Sequence, residues 1–229
     1  SKLQRDDYSF LVQPAVLANA KEPAAAMLAE QKYLMKELTR TRLIFTVPVE
    51  KGGFGFIAGI QPGAFQKQEL SLNYGRKLTE QVDLGARFSW DNYTVIGYPR
   101  TRLYSAGLGM NITLTEYLST GAFACAYFEP HSSTARTSTH FRIGLGYDLS
   151  TLVHISMQWI KENRFPASLV TGIHYQLSKT VWVRGGMDTG FFGWWFGLGF
   201  NIKLLRIDLV NNYHPQLGPS PAIAIHYPF

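Results

Sequence analysis

The stretch "LVHISMQW" places His154 and Ser156 two residues apart, and in an extended chain residues i and i+2 share a face. A base beside a hydroxyl is the beginning of nucleophilic catalysis, but an orienting acid and an oxyanion site must join it. No motif in the chain supplies them. The pair therefore reads as a structural hydrogen-bonding couple, and no enzymatic activity is expected. The same spacing recurs among charges: Arg206 and Asp208 are two apart, Arg184 and Asp188 four apart. With Asp83, Arg87, Arg142, Asp148, His154 and His174 they form a polar set expected to line one interior face. Arg87, Arg142, Arg184 and Arg206 would pair there with Asp83, Asp148, Asp188 and Asp208, since an isolated charge is costly to desolvate. The single Cys125 can form no internal disulfide and has no Cys/His neighbours at metal-ligand spacing. No cofactor or metal is expected. The net charge of +6 is scattered, with no basic run interleaved with aromatics, which argues against a nucleic-acid partner.

The elements that must position this polar set are strands. In "QVDLGARFSW", Val82, Leu84, Ala86, Phe88 and Trp90 alternate with Asp83, Gly85, Arg87 and Ser89. "HFRIGLGYDL" and "LLRIDLVNNY" repeat the pattern, and a period of two over eight to ten residues is a half-buried strand. "YGRKLTEQVDLG", "MNITLTEYLSTG", "GYDLSTLVHIS" and "HYQLSKTVWVRGG" share a Leu-Thr/Ser pair (at Leu78, Leu114, Leu149 and Leu177) just before a new alternating run. Each marks a short polar turn, whereas the intervening connections, such as "EPHSSTARTST", are longer and more varied. Short turns at one end and longer loops at the other are the asymmetry of an up-and-down membrane barrel. The longest apolar run, Phe191 to Phe200, is far below the roughly 20 residues of a membrane helix.

Charged residues make up only 17% of the chain, against about 25% in an average soluble domain, while aromatics reach 14%. The charged face is rich in Gly and the apolar face carries Trp and Tyr near strand ends, where interfacial girdles sit. The apolar set is therefore assigned to lipid and the polar set to a lumen. No signal-peptide pattern follows Ser1, so the chain is expected to be either cytosolic or numbered from after signal removal; the strand pattern favours the second. About thirteen strands are counted from residue 42 onward, and an even number is expected. "AAAMLAEQKYLMKEL" has helical spacing, yet parity assigns about residues 26 to 34 to the first strand. The expected fold is all-β, a transmembrane antiparallel barrel of about fourteen strands over residues 26–229, preceded by a plug-like segment, residues 1–25, in or near the lumen.

The end, "PAIAIHYPF", alternates Ile223, Ile225, Tyr227 and Phe229 toward lipid with Ala222, Ala224 and His226 toward the lumen. It resembles the C-terminal signal that outer-membrane barrels present to their assembly machinery. Pro228 lacks the N–H of a closing ladder, so the seam is expected to be loose there. "FGLGFNIKLLRIDLVNNYHPQLGPSPAIAIHYPF" and the opening "DDYSFLVQPAVLANA" together resemble the FadL-like outer-membrane superfamily, in particular its smaller members in Bacteroidota. Gln13, Pro14 and Ala15 correspond to that family's Asn-Pro-Ala segment, with Gln in place of Asn. The resemblance implies a fourteen-stranded barrel in the bacterial outer membrane, with lipid and the barrel assembly machinery as partners. The trimmed loops and short N-terminal segment make an accessory subunit of a larger outer-membrane complex, for secretion, surface-protein handling or barrel assembly, the first functional expectation. The alternative is a passive channel for hydrophobic small molecules such as fatty acids, with Phe123, Tyr127, Trp182 and Trp195 lining an apolar pocket.

Overall fold

A computed structural model describes residues 11–130, 138–163 and 165–229. Fourteen antiparallel strands are laid out in chain order: β1 (Ala24–Gln31), β2 (Thr39–Val49), β3 (Gly52–Gln61), β4 (Phe65–Lys77), β5 (Val82–Val95), β6 (Thr101–Thr113), β7 (Leu118–Phe128), β8 (Ser138–Asp148), β9 (Val153–Glu162), β10 (Ser168–Gln176), β11 (Val181–Asp188), β12 (Gly193–Ile202), β13 (Leu205–His214) and β14 (Gly218–Pro228). Each pairs with its sequence neighbours, and β1 pairs with β14 to close the barrel. Closure leaves no sheet edge, the condition for strands to cross hydrocarbon.

The repeated Leu-Thr/Ser pairs are one turn used four times. The amides of Leu78, Leu114, Leu149 and Leu177 donate to the carbonyls of Val82, Leu118, Val153 and Val181, at 2.9–3.0 Å. In each turn the hydroxyl of Thr79, Thr115, Ser150 or Ser178 accepts the amide that opens the next strand. A local side-chain acceptor that mimics a backbone turn is what Thr and Ser supply at such positions. Both ends of the barrel chain, Ala24 and Pro228, lie at this same rim, which is the periplasmic one.

The outer wall is apolar. Tyr147, Tyr175 and Tyr227 ring its periplasmic edge, while Trp194 stacks on Tyr213 and Tyr104 on Phe128 near the opposite edge. An aromatic belt at each interface with apolar residues between is the surface of a bilayer-embedded barrel. The protein is a bacterial outer-membrane β-barrel, and Ile223, Ile225 and Tyr227 face its lipid side.

Two local expectations need correction. The first strand begins at Ala24 and ends at Gln31 rather than running to about residue 34, because Tyr33 and Leu34 adopt positive φ (54° and 57°) and turn the chain. Nor is the seam loose at Pro228. The amide of Phe229 donates to the Pro23 carbonyl at 3.0 Å, so odd-numbered amides of β14 point to β1 and even-numbered ones to β13. The missing N–H of Pro228 therefore points toward β13, whose pairing has already ended at Arg206 opposite His226. No ladder bond is lost. Pro219 and Pro221 point the other way, beyond the last β1 pair, Glu30 with Ala222.

Candidate functional site

The N-terminal segment lies inside the barrel. A 3-10 turn, Pro14–Asn19, packs on β3, β4, β5 and β6, with Pro14, Ala15, Leu17 and Ala18 buried. Its seat is a single row of cross-strand glycines: Gly53 is opposite Gly75, Gly75 opposite Gly85, and Gly85 opposite Gly109. A Cβ on Gly75 would stand 2.6 Å from the Ala18 nitrogen, and one on Gly85 2.5 Å from the Pro14 carbonyl carbon. Backbone rests on backbone here, which only glycine permits. Gln13 fixes the upper end of the plug, its Nε2 donating to the carbonyls of Ala122 (2.9 Å) and Met110 (3.2 Å) on β7 and β6. Asn19 fixes the lower end by donating to Asp83 at 2.6 Å. Leu17 joins Ala26, Ile44 and Ile57 in a small apolar cluster. Of the predicted plug-like segment, residues 1–10 lie outside the described residues.

All ten polar residues singled out from sequence sit on lumen-facing positions, but they do not form one ladder. Asp83 takes the plug's Asn19. The Arg87 Nε donates to Asn73 Oδ1 at 2.7 Å, and its guanidinium lies 5.3 Å from the Phe123 ring centre. Asp148 pairs with the buried His154 at 2.7 Å. Asp188 caps its own loop, accepting the Gly190 amide at 2.7 Å. Asp208 gathers two guanidiniums, Arg184 and Arg206 (Nε at 2.9 Å), and also accepts from Trp182 Nε1 at 3.1 Å. His174 stacks on Trp182. Arg142 donates to the His140 ring, whose other nitrogen lies 3.0 Å from Glu162, so Arg142 has no carboxylate of its own among the described residues. Ser156 donates to the Gly172 carbonyl (3.5 Å) rather than to His154, so the pair is not arranged as nucleophile and base.

A second charged group went unremarked in the sequence. Arg40 and Arg42 converge on Glu69, and Lys67 lies 3.1 Å from Asp91, all in the extracellular half of the lumen. The signal was present as alternation in "TRTRL" and "QKQEL", where every second residue (Arg40, Arg42; Lys67, Glu69) is charged.

Three of the four inward aromatics, Phe123, Trp182 and Trp195, pack against the wall rather than line an open apolar pocket. Phe123 and Trp182 are only 6% and 5% exposed. Each lies over a glycine of a neighbouring strand, Phe123 over Gly107 and Trp182 over Gly199, while Trp195 covers Gly172 and Gly186. Arg206 stacks on Trp182 at 4.5 Å, so the ring is held from above as well. The rings fill the lumen.

No protein-family model and no curated protein sequence matches the chain. Solved structures do match in fold. A monoaromatic hydrocarbon channel, CymD, superposes with a TM-score of 0.69 at 9% identity, over 98% of this chain and 93% of that one. A FadL homologue from Pseudomonas aeruginosa gives 0.69 at 9% identity, over 97% and 94%. The P. putida toluene transporter TodX gives 0.64 at 9% identity, over 95% and 93%. The fold of this chain is that of the FadL-like outer-membrane barrels.

Proposed function

We propose that this protein is a passive, non-catalytic outer-membrane channel for small hydrophobic or amphipathic solutes, fatty acids among them, with the N-terminal segment as its plug. The observation that carries the reading is the glycine row. A barrel that only scaffolds other proteins needs no trough shaped for a movable segment, whereas a channel needs a part that can leave its seat without breaking the wall. The plug supplies no strand, and β3 to β6 keep their full pairing beneath it. The solved structures similar in fold are channels and transporters, which favours this reading over the accessory-subunit expectation.

The solute class follows from Arg142. Its guanidinium donates to the His140 ring rather than to a carboxylate, on a stretch of wall shared with Phe123 and Tyr127. A guanidinium not hydrogen-bonded to a carboxylate can donate to the acid group of a solute, and adjacent rings suit an apolar tail. The test is uptake of a labelled fatty acid into proteoliposomes. Faster entry than into empty vesicles, reduced several-fold by Arg142→Ala, is the expected result. Entry indistinguishable from empty vesicles overturns the channel reading. Entry unaffected by Arg142→Ala overturns the role of Arg142.

A further inference from the structure

A cavity of about 610 Å³ lies on the outside of the barrel, not in the lumen. It is bounded mainly by lipid-facing side chains of β4 to β9, and the inward-facing Phe123 and Arg142 also border it. One hydrogen-bonded row of the sheet runs along it: Arg76, Leu84, Met110, Ala122, Ile143 and Trp159, each opposite the next. Ala86, Ala122 and Ala124 form its floor, together with the backbone of Gly85 and Gly109. These are the glycines on which the plug rests from within, so the wall here is one backbone thick.

The register gives the groove a direction and a length. Arg76 is one residue above the periplasmic end of its strand, Leu84 two, Met110 three, Ala122 four, Ile143 five and Trp159 six. The groove therefore climbs diagonally from the periplasmic rim. Six residues at about 3.3 Å each, on strands tilted by about 40°, rise roughly 15 Å. That is half of a hydrocarbon core of about 30 Å. A transmembrane segment of a partner protein would need a groove crossing the full thickness, whereas a lipid of the periplasmic leaflet ends at the midplane, as this groove does.

Charge agrees with depth. Arg76, at the periplasmic mouth, is exposed and has no hydrogen-bond or ion-pair partner among the described residues, and the exposed Lys51 lies in the adjoining turn, its carbonyl accepting the Lys77 amide. Two unpaired cations at headgroup level, below an apolar trough one leaflet deep, match a phosphate and its acyl chains.

We infer that this groove holds one glycerophospholipid of the periplasmic leaflet, its phosphate on Arg76 and an acyl chain over Ala122 and Ala124. The test is native mass spectrometry of the detergent-solubilised barrel, stripped of lipid and titrated with phosphatidylglycerol or phosphatidylethanolamine. The wild-type barrel is expected to retain one phospholipid. Ala122→Phe/Ala124→Phe, which fills the floor with apolar bulk, should weaken binding at least tenfold. Arg76→Gln should weaken phosphatidylglycerol several-fold. Ala29→Phe makes the same change on the lipid-facing side of β1, outside the groove, and should bind as wild type while reporting that such substitutions fold. Equal retention by the filled variant and Ala29→Phe overturns the site. So does a barrel dimer that the filled variant abolishes, since the groove would then hold a second copy.

Discussion

Gly85→Ala should unseat the plug while leaving the barrel closed. The new Cβ would overlap the Ala15 nitrogen, and it would stand 2.5 Å from the Pro14 carbonyl carbon and 2.7 Å from the Ala15 Cα. These are backbone atoms of a turn held at both ends by Gln13 and Asn19, so no side-chain rotation relieves the clash. Overpacking of this kind costs about 1–3 kcal/mol, which shifts the docked-to-undocked ratio roughly 5- to 150-fold. The strand itself loses nothing, because Gly85 keeps ordinary sheet geometry and Ala is accepted in a strand. Hydrogen exchange should show faster exchange at residues 14–20 with β4 and β5 unchanged, and single-channel recordings should show more frequent or larger ion conductance. Gly144→Ala is the matched control, since its nearest neighbour would be 3.6 Å away. Wild-type exchange at residues 14–20 in Gly85→Ala would refute the reasoning, because the trough would then not be what holds the plug.

Other consequences are more local. Asp208 is 2% exposed and is ion-paired with both Arg184 and Arg206, so Asp208→Ala should cost about 3–5 kcal/mol, as removing one partner of a buried ionic group does; urea unfolding from lipid vesicles measures it, and a loss below 1 kcal/mol would show that the guanidiniums find water instead. Ser220 accepts the Tyr33 amide at 2.9 Å where β1 no longer reaches β14. Ser220→Ala should leave that amide unsatisfied at a cost of about 1–3 kcal/mol, seen as faster exchange across residues 32–38; unchanged exchange there would mean the turn is held by its Tyr33–His214 ring contact.

Much of the architecture was legible because a membrane barrel writes its two environments into alternate residues. Val82 to Trp90 could be divided into lipid and lumen faces without coordinates, and the Leu-Thr/Ser turns announced their hydrogen bonds through residue type. The first strand was less legible: "AAAMLAEQ" has little contrast between its faces, and its end is set by two residues with positive φ that carry no glycine signature. The site was hidden by register. Gly53, Gly75, Gly85 and Gly109 each look like an ordinary small residue in an alternating strand, and only the pairing of four strands makes them one trough. The Arg/Asp pairing, met at Asp208 by Arg184 and Arg206, was only partly legible for a related reason. A shared face within one strand is readable, but the partner across the sheet is not, so Asp83 met Asn19 and Asp188 met its own loop.

The way the lumen is filled decides which part of it can move. Trp182 hydrogen-bonds Asp208 beneath a stacked Arg206, and displacing it would disturb a buried ionic group. Phe123 lies against the Arg87 guanidinium and Gly107. The plug, by contrast, is held among the described residues by two hydrogen bonds from the Gln13 amide, one from Asn19, and apolar burial centred on Leu17. Three hydrogen bonds at about 1 kcal/mol each and one leucine at about 1.5–3 kcal/mol amount to only a few kcal/mol, with no ion pair of its own to break among the described residues. On the proposed channel function, a path through this barrel would therefore open first at the glycine row, where the occupant is attached most weakly and the wall beneath it is already complete.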